Sequence, residues 1–223
     1  MVTATSKTTA DTLQDLLSVL TSTGQQDLNA QIFEFIAPVD RAAFTVKHSA
    51  LQAALAMPSG TKVQKGAKSA AVGKAFEELV IAMLKDSKAI QYKNNIRTTV
   101  AEVDFLIAVL PSGSCVPMLR QSGTHILGEA KCYTSSPKTE WVTELVGLMA
   151  LHKTTTAILF LGSKAKKLQR EIKVAIAIAA AKGAMVVPFG QTQIDKVAQG
   201  GNFLMLLSEQ YVSAANHAGD LWI

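Results

Sequence analysis

An acidic and a basic side chain lie two residues apart inside an apolar run of this sequence. Glu129 and Lys131 belong to the segment Ile-Leu-Gly-Glu-Ala-Lys, residues 126–131. Because residues i and i+2 of a β-strand project from the same face, the two side chains are predicted to enter one small volume. A further acid, Asp104, stands in an earlier apolar run, with 24 residues between it and Glu129. Two adjacent antiparallel strands would bring all three side chains together.

This combination of side chains suits metal-assisted hydrolysis of a phosphodiester. Carboxylates bind hard divalent cations such as Mg²⁺, which take oxygen ligands. The cation polarises the phosphate, and a nearby lysine positions water or stabilises developing charge. An unpaired carboxylate in an apolar run is costly, so Asp104 needs a partner. The alternative is that Asp104 caps a turn or pairs with Lys131.

The ordered set of a helical glutamate, a strand aspartate and a strand E-x-K resembles the PD-(D/E)xK nucleases, the superfamily of restriction endonuclease-like folds. Asp104 matches the first acid of the motif, Glu129 the second, and Lys131 the lysine. Gly-Lys-Ala-Phe-Glu at 73–77 resembles the G-x-x-F-E opening of the first core helix in type IV restriction and Holliday-junction-resolving nucleases. The departure is Val103, which stands where the motif has proline.

The resemblance implies an α/β protein with an α-β-β-β-α-β core over about residues 69–189. Its mixed central sheet is flanked by helices. It also implies that Asp104 and Glu129 bind metal, with the carbonyl of Ala130 as an extra ligand, and that Lys131 positions or activates water. Glu77 would support a metal directly or through water, with Glu78 as the alternative. The implied cofactor is Mg²⁺, for which Mn²⁺ would substitute.

The composition describes a globular protein with one core. The chain has 223 residues, 48% of them hydrophobic and 17% charged, enough to bury a single core and too apolar for a disordered chain. Apolar runs are too interrupted for a membrane span, and no secretory signal is expected at the N-terminus. The two cysteines lack metal-ligand spacing, which favours a reducing compartment, the cytoplasm.

Positive charge is concentrated in two segments. Residues 62–97 carry eight Lys/Arg against three acids, and residues 163–182 carry six against one. Basic segments of this kind fit a phosphate-binding surface, although solvated helix faces are an equally ordinary explanation. DNA is the expected partner and RNA is not excluded. The residues predicted to contact nucleic acid are Lys68, Lys74, Lys166, Arg170 and Lys173.

Periodicity and punctuation predict the elements that must position these residues. An N-terminal helical region, 1–60, would be a cap, a dimerisation element or a DNA arm, and 61–223 would form the nuclease domain. A basic linker is expected over 62–74, and another short strand or a substrate loop over 114–123. The predicted helices are 11–22, 25–36, 39–57, 69–86, 138–152, 163–182 and a C-terminal helical stretch, 191–217, broken at 200–201; the predicted strands are 89–97, 100–110, 124–133, 155–161 and 185–188.

Taken together, the sequence predicts a Mg²⁺-dependent deoxyribonuclease, an endonuclease acting as a homodimer if it cuts both strands of a duplex. Three alternatives remain open. One is a catalytically inactive nucleic-acid-binding module of the same fold. The second is an RNA-cleaving member of the superfamily, and the third is a helical interaction protein in which the E-x-K triplet is incidental.

Overall fold

Five strands form one mixed sheet in the order β1-β2-β3-β4-β5. The computed structural model describes residues 28–97, 102–133, 138–163 and 170–219. Strands β1, β2 and β3 run antiparallel to one another, whereas β3, β4 and β5 are parallel. The elements in chain order are α1 Leu28–Ile36, α2 Arg41–Ala56, α3 Lys62–Leu84, β1 Ile90–Arg97, β2 Glu102–Val109, a 3₁₀ turn Pro111–Cys115, α4 Pro117–Gln121, β3 His125–Tyr133, α5 Thr139–His152, β4 Thr156–Ser163, α6 Arg170–Ala181, β5 Met185–Gly190, α7 Gln191–Ala198 and α8 Phe203–Gly219.

Each face of the sheet is covered by a different set of helices. On one face, α1, α2, α3 and α8 pack over alternate strand residues, and Phe160 lies 6.0 Å from Phe189 and 6.1 Å from Phe105, between ring centroids. On the other face, α5 and α6 pack over the residues between them, such as Leu127 and Leu159. This confirms the predicted α/β class, with a mixed sheet flanked by helices and a helical region ahead of it.

Helices α2 and α3 form an antiparallel hairpin that replaces the predicted basic linker. The prediction of a linker over 62–74 was wrong, because these residues form the first half of the 23-residue α3. Thr61 and Gln64 make a reciprocal capping box at its start, and Lys, Gln and Ala are good helix formers. The two glycines in this segment each cost only about 1 kcal/mol relative to alanine, too little to stop the helix.

The connection from β2 to β3 also differs from its prediction. Neither a strand nor an open loop occupies 114–123. Instead, the 3₁₀ turn leads into α4, and Pro111 and Pro117 each stand at the start of these helical segments. Proline suits that position because its fixed φ is helical and its missing N–H is not needed there.

The other predicted elements within the described residues are present, with their ends shifted by a few residues. The predicted helix 11–22 lies outside the described residues. The C-terminal helical stretch is interrupted as predicted, with α7 and α8 separated at Gly200 and Gly201. Among the helices that the structure describes, none is both long and apolar enough to cross a membrane.

The described part of the N-terminal region shares the core of the sheet. Ile36, Phe44 and Leu51 are buried in the same cluster as Phe76 of α3. The side-chain amide of Asn202 donates to the carbonyls of residues 33 and 37 at the end of α1, and its carbonyl accepts from the N–H groups at the start of α8. Whether residues 1–60 act as a cap, a dimerisation element or a DNA arm stays a prediction.

A candidate metal-binding active site between strands β2 and β3

The candidate site lies where strands β2 and β3 stop pairing regularly. Their antiparallel register runs from Ala108 opposite His125 to Phe105 opposite Gly128. Asp104 comes immediately after the last pair, and its Oδ2 accepts a hydrogen bond from the N–H of Ala130 at 2.8 Å. A carboxylate therefore takes the place of a main-chain acceptor at this point of the ladder.

Strand β1 also departs from regular geometry beside Asp104. The register of β1 with β2 places Asn94 opposite Phe105 and Ile96 opposite Val103, so Asn95 is the neighbour of Asp104. Asn95 has a left-handed φ of 52°, a conformation that costs energy in a strand and is found most often at functional sites. The irregular backbone thus centres on the acid that the sequence singled out.

Glu129 and Lys131 meet on one face of β3, as the strand spacing predicts. Lys131 Nζ lies 2.5 Å from Glu129 Oε1, and the two side chains are 23% and 13% exposed. The pair is therefore largely shielded from water, which strengthens its attraction. The other carboxylate oxygen, Glu129 Oε2, is buried and has no hydrogen-bond partner. Lys131 pairs with Glu129 rather than with Asp104, contrary to the alternative interpretation of Asp104.

The acids of the site raise one another's pKa values. Burial raises the pKa of Glu129, and the charge of Asp104 raises it further, whereas Lys131 lowers it. Burial likewise raises the pKa of Asp104, against the lowering effects of the Ala130 N–H and of Lys131. Negative charge is thus concentrated beyond what one lysine neutralises. A bound cation would relieve this repulsion.

Glu77 and Glu78 of α3 have different surroundings. Burial raises the pKa of Glu77, followed by the charges of Asp104 and Glu102, so this carboxyl belongs electrostatically to the site. Glu78 instead pairs with Lys47 of α2 at 2.8 Å, which lowers the pKa of Glu78. Of the two candidates on this helix, Glu77 is therefore the one that lies with the other acids.

Glu102 is a member of this acidic group that sequence reasoning missed. It is exposed, pairs with Arg97 at 3.3 Å, and contributes to the raised pKa values of both Glu77 and Asp104. The available signal was its position two residues before Asp104, which places both side chains on the same face of a strand.

The residues predicted to contact nucleic acid are not gathered in one place. Lys68 donates to the carbonyl of Met57 at 2.7 Å and so links α2 to α3. Lys74 is exposed on α3, and Arg170 and Lys173 are exposed on α6. Lys166 lies outside the described residues. The predicted basic stripe on α6 can therefore be followed only through Arg170 and Lys173.

The donor set of the site has the chemistry of a magnesium site. Among the residues that the structure describes, no three or more His, Cys, Asp or Glu side chains are grouped closely enough to hold a metal. Two carboxylates, Asp104 and Glu129, remain as the nearest donors, with Glu77 further away. The N–H and C=O of one strand residue point to the same neighbouring strand, so the carbonyl of Ala130 lies on the Asp104 side. Mg²⁺ commonly binds through one or two carboxylates and keeps several waters, and the unpartnered Glu129 Oε2 is an oxygen of that kind.

Comparison of the chain with protein-family models, with curated proteins and with solved structures finds no match. The arguments for function therefore depend on the geometry of this site.

Proposed function

We propose that this protein is a metal-dependent nuclease with a restriction endonuclease-like fold, hydrolysing phosphodiester bonds in DNA. The observation that carries the proposal is the meeting of Asp104, Glu129 and Lys131 at the point where β2 and β3 separate. The element order from α3 to β4, a helix, three strands, a helix and a strand, supports it, because this is the order that the resemblance implies.

In this function, Asp104, Glu129 and the carbonyl of Ala130 hold Mg²⁺, and Glu77 adds negative charge behind them. When bound there, the cation supplies Lewis-acid activation of the phosphodiester. The Ala130 N–H fixes the Asp104 carboxylate, which leaves its second oxygen to face the site. Lys131 Nζ is held by Glu129 and has further N–H groups to donate. It orients the attacking water and stabilises charge that develops on the phosphate oxygens.

Cleavage of supercoiled plasmid tests the proposal. The wild type is compared with Asp104→Asn and Lys131→Gln in the presence of Mg²⁺, Mn²⁺ or EDTA. Glu209→Gln, which neutralises an exposed carboxylate on α8, is the matched control. We expect cleavage with either metal and none with EDTA. Each site variant should lose activity by at least about 100-fold, the usual effect of removing a group that stabilises the transition state.

The same assay separates the proposal from its alternatives. Cleavage unaffected by both site substitutions would mean that the nuclease is a contaminant or uses another site. Binding of DNA without cleavage, by a folded wild type and with either metal, would favour a non-catalytic binding module. Cleavage of RNA but not of DNA would move the substrate to RNA. Linear product formed without a nicked intermediate would support a homodimer that cuts both strands together.

A further inference from the structure

The hairpin of α2 and α3 has an unusual charge distribution. Over its 36 residues from Arg41 to Phe76, the sequence contains six Lys/Arg and no Asp or Glu. The first acid after this stretch is Glu77, which belongs to the candidate site. A segment of this length without an acid has a local positive charge that attracts polyanions, in a chain whose net charge is only +5.

The free end of this hairpin projects past the strand ends that carry the site. Phe76 lies beside Gly162 and Cys132, near the ends of β4 and β3, whereas the C-terminus of α3 leads into β1 at the other end of the sheet. Helix α3 therefore runs antiparallel to β3. Lys62 precedes Phe76 by 14 residues, so α3 continues about 21 Å beyond the level of Phe76. In β3 only Tyr133 follows Cys132.

Two contacts fix how the hairpin is paired. Lys47 of α2 binds Glu78 of α3, and the carbonyl of Met57 accepts from Lys68. Both pairs have the same sum of residue numbers, as an antiparallel hairpin requires. Residues 58–67, which we call the hairpin tip, lie beyond the second contact, and every one of them is exposed. The tip is thus held at its base and open to solvent at its end.

The hairpin tip carries two lysines that have no structural role in the fold. Lys62 and Lys65 are exposed and form no ion pair with any residue that the structure describes. Lys68, by contrast, is occupied by its contact with Met57. The tip contains no aromatic residue on which a base could stack. Its one large exposed hydrophobic residue, Val63, is too little apolar surface for insertion into a membrane.

We propose that the hairpin tip binds the phosphate backbone of duplex DNA next to the candidate active site, through Lys62 and Lys65. This inference rests on the proposed function for its partner, and it adds the surface that grips that partner. Contacts of lysine with phosphate position a duplex without reading its sequence. The tip would therefore hold DNA in register with the acids between β2 and β3, and leave sequence selection to other residues.

Binding of a fluorescent 30-base-pair duplex, measured by anisotropy in EDTA between 50 and 200 mM salt, tests this proposal. The variant is Lys62→Gln/Lys65→Gln, and the matched control is Lys85→Gln/Lys182→Gln. The control removes the same charge from exposed positions at the other end of the sheet. We expect the hairpin-tip variant to bind roughly 10–100-fold more weakly, with a salt-dependence slope smaller by about 1.8, or 0.9 for each lost phosphate contact. The control should differ little from the wild type.

Two further measurements make each outcome decisive. Lys62→Arg/Lys65→Arg, which keeps both charges, should restore binding, and circular dichroism of all variants should be unchanged because glutamine and arginine suit a helix as well as lysine. Equal weakening in the two Gln variants would mean that only net charge matters, and the proposal would be wrong. It would also be wrong if the wild type bound no duplex, or if the tip substitutions abolished binding to phosphatidylserine vesicles instead. Cleavage that is normal while tip substitutions leave DNA binding unchanged would overturn this inference alone; DNA binding through the tip without cleavage would overturn only the nuclease.

Discussion

Replacing Asp104 by asparagine or by alanine separates the two tasks of this residue. Its Oδ2 accepts the N–H of Ala130, and its charge raises the pKa of Glu129. Asparagine keeps an oxygen that can accept the same hydrogen bond but removes the charge. Alanine removes both. The two variants therefore distinguish a structural acceptor from a charge that is kept for binding a cation.

The size of the difference follows from the hydrogen bond. Loss of the acceptor leaves the half-buried N–H of Ala130 without a partner, which costs about 1–2 kcal/mol. For a chain of 223 residues, this cost lowers the melting temperature by roughly 2–8 °C. In asparagine the hydrogen bond is retained and the repulsion of Glu129 is relieved. We therefore expect Asp104→Asn to be at least as stable as the wild type at pH 7 in EDTA, and Asp104→Ala to be less stable.

Thermal denaturation in EDTA, repeated with added Mg²⁺, is the assay. Mg²⁺ should raise the melting temperature of the wild type, because a ligand that binds only the folded state stabilises it by about 2.7 kcal/mol at 100 times its Kd. It should leave both variants unchanged. Equal destabilisation of the two variants would refute the assigned role of the Ala130 hydrogen bond. A Mg²⁺-induced shift that persists in Asp104→Asn would refute the assigned cation site.

Three further predictions concern titration, packing and reactivity. Because burial raises the pKa values of Asp104 and Glu129 above their ordinary 3.8 and 4.5, the folded state binds more protons than the unfolded state just above those values. The free energy of unfolding in EDTA should therefore fall as pH rises through that window, more steeply than in Asp104→Asn; urea titrations at several pH values with parallel profiles would contradict this. Gly162→Ala would place a Cβ 2.6 Å from a ring carbon of Phe76 and 2.7 Å from Cys132 Sγ, and should cost about 1–3 kcal/mol in urea denaturation, an unchanged midpoint being evidence against such close packing. The Cys132 thiol, whose pKa burial raises to about 12, should resist thiol reagents at pH 8 until the protein is denatured, and rapid labelling of the folded protein would show that the thiol is accessible.

The mistaken predictions have a common physical cause. Residues 62–74 were interpreted as a linker from their lysines, glycines and serine, yet packing of the following turns against the sheet extends the helix back to the cap at Thr61. Local composition cannot report that stabilisation, because most helical stability in proteins comes from tertiary packing. The connection 114–123 was misjudged similarly, since two prolines that suggest a loop can also start short helices.

The sequence by itself determined the class of the fold and which side chains share the candidate site. Strand periodicity placed Glu129 and Lys131 on one face, and the spacing from Asp104 required a return strand beside it, because alternation in a strand is a local property of the backbone. Only the tertiary structure decided where regular pairing of β2 and β3 ends, that the Ala130 N–H holds Asp104, and that Glu102 joins the acids. It also decided that the basic segment is a helical hairpin extending past the site. These features depend on contacts between residues far apart in the chain, which no local pattern encodes.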